Sequence, residues 1–153
     1  MLSFVANPEK LVENLHKAIR PGGVSIFHEY VNYSTWQIAP DNAAFNKFVS
    51  AVMSSWRTAG GEPDIGLDLP SLLHNAGFEI ITASPIVDMV SPADFMWQWP
   101  EAFLRTNITR LIELGEINSD EAKAAINAFE TVKAMPNGRM VTPTVLEVIA
   151  RRL

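Results

Sequence analysis

Asn7 to Tyr30 reads NPEKLVENLHKAIRPGGVSIFHEY, and its reading decides the fold. Asn7 is a helix cap by type, and Pro8 suits the first helical position, where its missing N–H has no intrahelical partner to lose. Leu11, Val12, Leu15, Ala18 and Ile19 fall on one face at helical spacing. Pro21 cannot continue that helix, and Gly22-Gly23 supplies the backbone freedom for a reversal. Val24 to Phe27 is a short apolar run of the kind that fits a strand covered on both faces. A helix turning tightly into such a strand is the second half of a β-α-β crossover, so the chain is expected to be α/β.

Outward from this stretch, the composition sets bounds. The chain has 153 residues, 48% hydrophobic and 19% charged, which is enough for one domain with a core. A net charge of −5 with scattered Lys and Arg lacks the basic stripe that nucleic acid needs, so no nucleic-acid partner is expected. No cysteine is present, which removes disulfides and thiolate metal sites and is compatible with a cytoplasmic location. MLSFVANPEK has no basic region followed by an apolar one, so it does not read as a signal peptide. No stretch approaches the ~20 apolar residues of a membrane span. Leu2, Phe4 and Val5 begin abruptly, as though the chain were entered midway.

Tyr30 to Pro40 has no clear period and is expected to be a loop. Asp41 or Asn42 caps the next helix, whose stripe is Phe45, Phe48, Val49, Val52, Met53 and Trp56, with Gly60-Gly61 as its stop. Asp68 is expected to cap a short helix with Leu69, Leu72, Leu73 and Ala76 inward and Gly77 at its end. Phe78 to Ala83 reads as a second strand. Ser91-Pro92 begins an apolar helix, and Pro100 breaks it and begins another that runs to Gly115. Asn118 or Ser119 caps a helix with Ala122, Ala125, Ile126, Phe129 and Val132 on its face, and Asp120 and Glu121 favour its positive end. Pro136-Asn137-Gly138 is a turn, and Val141 to Ala150 reads as a third strand interrupted early by Pro143.

Two pieces of this pattern resemble a known family. Ala18-Ile19-Arg20-Pro21-Gly22-Gly23 with its following strand and Glu29, and Leu69 to Phe78 further on, resemble the helix-to-strand units around the fifth and sixth strands of class I S-adenosylmethionine-dependent methyltransferases. The resemblance covers roughly the whole chain and implies the C-terminal part of a Rossmann-like fold. That part would be a single domain of about three strands in the order first, third, second, the last antiparallel, with flanking helices. Residues 85–138 would be a helical insertion or lid before the last strand. The family's glycine-rich turn and the acidic end of its second strand would lie before Met1. S-adenosylmethionine is therefore expected to serve the intact enzyme and not to bind this chain tightly. An absent fourth strand would leave Val24 to Phe27 as an exposed sheet edge, so a homo-oligomer through that strand is expected.

The candidate chemistry is placed by the same resemblance. Glu29 and Tyr30 end the first strand, where sites in open α/β sheets gather. With Tyr33, Trp36, Trp97 and Trp99 they are expected to face a small-molecule methyl acceptor, and Phe4 to approach the cofactor. Each has a structural alternative: a hydrogen-bonded strand-end carboxylate for Glu29, a packed lid for the tryptophans. His28 reads either as a general base or as a boundary residue. Trp56 belongs to its helical stripe and reads as core, and Arg57 after it either pairs with a carboxylate substrate or faces water. His16 and His74 lack ligand spacing, and no metal is expected. Gly22-Gly23 and Gly60-Gly61 are helix stops, not phosphate loops. Methyl transfer is an in-line displacement helped mainly by positioning, so it requires no nucleophilic serine or cysteine. The competing readings are a non-catalytic accessory fragment that oligomerises and an independent α/β ligand-binding domain.

Overall fold

A computed structural model describes residues 2–153. In chain order the elements are a 3-10 turn Leu2–Phe4, α1 Pro8–Ala18, β1 Val24–Asn32, a 3-10 turn Tyr33–Thr35, β2 Gln37–Ala39, α2 Ala43–Thr58, a 3-10 turn Ile65–Leu67, α3 Leu69–Asn75, β3 Phe78–Ile86, β4 Met89–Val90, a 3-10 turn Phe95–Trp97, α4 Gln98–Glu113, α5 Ser119–Ala134, β5 Arg139–Val141 and β6 Thr144–Arg152. They fall into two compact units. The first comprises residues 2–33, 56–86 and 144–153, and the second residues 34–55 and 87–143.

The first unit holds a three-stranded sheet in the order β1-β6-β3. β6 runs antiparallel to both neighbours, so β1 and β3 are parallel to each other. Ile26 lies opposite Ile149 and Phe27 opposite Val148 on one side, while Ile80 lies opposite Ala150 on the other. α1 is capped by Asn7, whose side chain accepts from Lys10 N at 2.8 Å, and Gly22 turns the chain into β1 with φ +75°. The core joins Leu2, Val12, Phe27, Leu69, Phe78 and Val148. β1 is not covered on both faces as its apolar run suggested. It alternates, with Phe27 buried while Val24 and Ile26 are exposed, because α1 and α3 supply apolar side chains to the core on one face of the sheet only.

The second unit packs α4 and α5 with most of α2 and a small sheet in the order β2-β5-β4. Pro143, which has no N–H to donate, lies in the gap between β5 and β6, so the expected third strand is two strands in two sheets. The expected loop over Tyr30 to Pro40 contains the end of β1 and all of β2. Ser91 to Asp94 is a turn and not a helix start, because the Asp94 carboxylate accepts both Ser91 N and Ser91 Oγ. Pro100 sits in the first turn of α4 and breaks nothing, since the backbone nitrogens there have no intrahelical acceptor. Asp68 precedes α3 without a capping hydrogen bond. Asn42 caps α2 by accepting from Ala44 N at 2.9 Å.

Asn118 is the strongest cap. Its Oδ1 accepts from Asp120 N and Glu121 N, both at 3.0 Å, and Glu121 Oε2 accepts Asn118 N at 2.8 Å. Replacing Asn118 by Ala is expected to cost about 1 kcal/mol and lower the unfolding midpoint by a few degrees, while Asn118→Ser keeps most of the stability. Thermal melts followed by circular dichroism check both.

Candidate functional site

β1 delivers Glu29 and Tyr30 to its carboxyl end, and the following turn delivers Tyr33. Glu29 points into the covered face and is 5% exposed. A buried carboxylate needs donors, and the first turn of the chain provides them. Leu2 N donates to Oε1 at 2.7 Å, and Ser3 N and Oγ donate to Oε2 at 3.3 and 3.1 Å. The carboxylate thus fastens the Leu2–Phe4 turn to β1.

Beside it an aromatic cluster forms around Trp56. Tyr33 meets Trp56 edge-on at 4.8 Å, Tyr30 meets Tyr33 at 4.8 Å, and Phe4 meets Trp56 at 4.7 Å. Tyr33 is buried, Tyr30 and Trp56 are half-buried, and Phe4 is exposed. Burial, with the neighbouring Glu29 charge, pushes the Tyr30 phenol up to about 12, and deeper burial beside Tyr30 raises the Tyr33 phenol as well. The rim is held by Arg57. Its Nη2 donates to Glu62 Oε1 at 2.8 Å and to Asp64 Oδ2 at 3.2 Å, and Asp64 Oδ1 accepts Tyr33 N at 2.8 Å. The hydrogen bond from Arg57 lowers the Glu62 carboxyl despite some burial. Arg57 is therefore the clamp of the turn after β1.

The residues singled out in the sequence divide between the units. Phe4, Glu29, Tyr30 and Tyr33 lie in the first, and Trp36, Trp97 and Trp99 in the second. Trp36 packs edge-on against Phe45 at 5.3 Å and Phe48 at 5.5 Å, and its Nε1 donates to Met140 Sδ at 3.2 Å. Trp97 packs on Phe129 at 5.2 Å. Both indoles are 1% exposed and serve the core of the second unit, whereas Trp99 is exposed. His28 lies on the open face of the sheet with Nε2 2.7 Å from Glu147 Oε2, paired across the ladder.

A cleft of about 480 Å³ in the first unit was not anticipated. It opens between the start of α1 and α3, where Asn7, Glu9, Asp68, Ser71 and Asn75 give it a polar lining. The signal was available as Asp68, Ser71 and Asn75 at helical spacing, since such residues share a face. All four glycines with positive φ, Gly22, Gly60, Gly77 and Gly115, follow helix ends. Among the described residues no cluster of His, Asp and Glu is arranged to hold a metal ion, and no helix is long and apolar enough to cross a membrane.

No known family profile matches the chain, and no curated protein matches its sequence. Among solved structures, a candidate methyltransferase from Bacillus halodurans C-125 is similar over 99% of this chain, with a TM-score of 0.51 and 12% identity. The chain spans 65% of that protein's length. The fold is thus methyltransferase-like, a mixed α/β architecture with open antiparallel sheets.

Two outcomes check the site. Glu29→Ala strands three donors and is expected to destabilise the chain by about 1–3 kcal/mol in denaturant unfolding. Tyr30 and Tyr33 are the chain's two tyrosines, so the rise in absorbance near 295 nm with pH reports their ionisation, over a constant tryptophan background. The folded protein is expected to show no tyrosinate step near pH 10 and a first step at about 12, while the unfolded chain titrates near 10. Because the folded values are raised, the associated stability is fully present below about pH 10 and is lost as pH rises from there through about 12.

Proposed function

We propose that this chain is the C-terminal portion of an S-adenosylmethionine-dependent methyltransferase acting on a small, partly apolar molecule. The observation that carries the proposal is the likeness to a candidate methyltransferase across 99% of the chain. The order β1-β6-β3, with β6 antiparallel between two parallel strands, supports it from the chain's own hydrogen bonding. Residues 85–138 are then an insertion between the family's last two strands. Exposed Phe4, with half-buried Tyr30 and Trp56 beside it, offers aromatic faces of the kind that suit a flat acceptor or an adenine ring. The grip on the cofactor belongs to a glycine-rich turn outside these residues, and no catalytic step is assigned to them.

A second reading is favoured by specific contacts. Glu29 accepts three hydrogen bonds from the Leu2–Phe4 turn, and Trp36 and Trp97 are sealed in a core. Those contacts suit a non-catalytic accessory or ligand-binding fragment.

Calorimetric titration with S-adenosylhomocysteine, which resembles the cofactor but cannot react, tests the proposal. The 153-residue chain is expected to show no saturable binding in the micromolar range. A polypeptide carrying an in-frame upstream strand, G-x-G turn and acidic strand end is expected to bind. Stoichiometric binding by the chain alone overturns the assignment of the cofactor grip to another segment. An upstream reading frame without that pattern overturns the enzyme reading in favour of the accessory one.

A further inference from the structure

The turn Pro136-Asn137-Gly138 joins α5 to β5 inside the second unit and carries none of the candidate chemistry described above. Asn137 is the one asparagine of the chain that is followed by glycine. That pair is chemically labile, because glycine has no Cβ to shield its backbone nitrogen from the preceding side chain. Asn137 is exposed, whereas Gly138 is buried. Gly138 N donates to Met135 O at 3.1 Å, which closes a four-residue turn with Pro136 second and Asn137 third. Among the described residues the cis peptide bond is Ala39–Pro40, and positive φ is confined to glycines. The turn is therefore type I, in which the third residue has ψ of about 0°.

We infer that Asn137 is a deamidation site held shut by this turn, so that its conversion to an acid records opening of the second unit and hinders the return. The inference does not rest on methyl transfer. In the reaction the Gly138 nitrogen gives up its proton and attacks Asn137 Cγ. The bond from Cγ to Nδ2 breaks, and ammonia leaves with a proton taken from water. Water then opens the five-membered imide at either carbonyl. One product is aspartate, and the other is isoaspartate, whose main chain runs through Cβ and Cγ. Nothing is oxidised or reduced.

Three features of the folded turn oppose the first step. The Gly138 N–H is committed to Met135 O and must be released before its nitrogen can attack. Ring closure needs that nitrogen eclipsed with Asn137 Cβ, and a ψ of about 0° turns it well away. The turn has no room to shift, since a Cβ on Gly138 would collide with the Val132 carbonyl oxygen, which also accepts Met135 N at 3.1 Å. On the far side Gly138 O accepts from Arg139 Nη1 at 2.7 Å. The same tightness penalises the product. Isoaspartate lengthens the main chain by one carbon immediately before β5, the middle strand of the β2-β5-β4 sheet.

Peptide mapping by mass spectrometry tests this on the whole chain, kept native or unfolded in guanidinium chloride at the same mildly alkaline pH. In the unfolded chain Asn137 is expected to convert ahead of every other asparagine. In the native chain its conversion is expected to be slower by about tenfold or more, with the Gly138 amide protected in hydrogen exchange, because both reactions need the same release. The isoaspartate form, isolated and refolded, is expected to melt below Asn137→Asp, which carries the new charge without the extra backbone carbon. Equal native and unfolded rates overturn the inference, as does a slow native rate with an unprotected Gly138 amide. An unfolded chain that spares Asn137, or an isoaspartate form that melts together with Asn137→Asp, overturns it too. These readouts are mass, exchange and melting, not cofactor binding, so their failure is separable from failure of the methyltransferase reading.

Discussion

β6 is the strand on which the first unit depends. β1 and β3 run parallel and share no hydrogen bonds, so each is held in the sheet by β6. The last residues of the chain thus join two segments that are distant in sequence. Arg152 N and Gly22 N extend this join into the turn after α1, donating to Gly23 and Arg152 carbonyls at 2.9 Å. Parallel neighbours need a crossover, and an antiparallel strand inserted between them satisfies both of their facing edges at once. The covered face then buries Phe27, Phe78 and Val148 beneath α1 and α3.

Glu29 is secured by the same face. A carboxylate there would be costly without donors, and the Leu2–Phe4 turn donates three hydrogen bonds to it. The link runs both ways: the turn is ordered by the carboxylate, and the ordered turn sets Phe4 against Trp56. The aromatic cluster at the end of β1 is built from this tie on one side and from the Arg57–Asp64–Tyr33 tie on the other. Polar anchors therefore fix the position of side chains whose own contacts are apolar and have little directional preference.

The open face of the sheet has a different logic. Its aliphatic side chains, Ile26 and Ile149, lie between the pairs His28–Glu147 and Arg151–Glu79. Charges of both signs stand in mutual register, so the face is neither strongly acidic nor strongly basic despite a chain charge of −5. The pairs are exposed and contribute little stability singly. Their effect is to leave the apolar row as the dominant feature of the face.

Local chemistry written in single residues was legible in the sequence. Asn7 with Pro8 started α1, the stripe from Phe45 to Val52 marked α2, and Gly77 and Gly115 closed α3 and α4 with positive φ. These features depend on backbone groups within a turn or two, so adjacent residues suffice to specify them. Burial was less legible. Val24 to Phe27 is apolar throughout, yet alternate residues are exposed, because coverage depends on where distant helices pack. Pro100 was readable as a breaker or as a first-turn residue, and only the start of α4 decided between them. The candidate site was decided by tertiary structure most of all. Nothing near Glu29 in sequence announces that Leu2 and Ser3 will satisfy it, and nothing near Trp36 announces Phe45, Phe48 and Met140 around its ring. A residue's type sets what chemistry it can perform, but its partners across the fold decide whether its polar atoms and ring faces are engaged in the interior or turned toward a ligand.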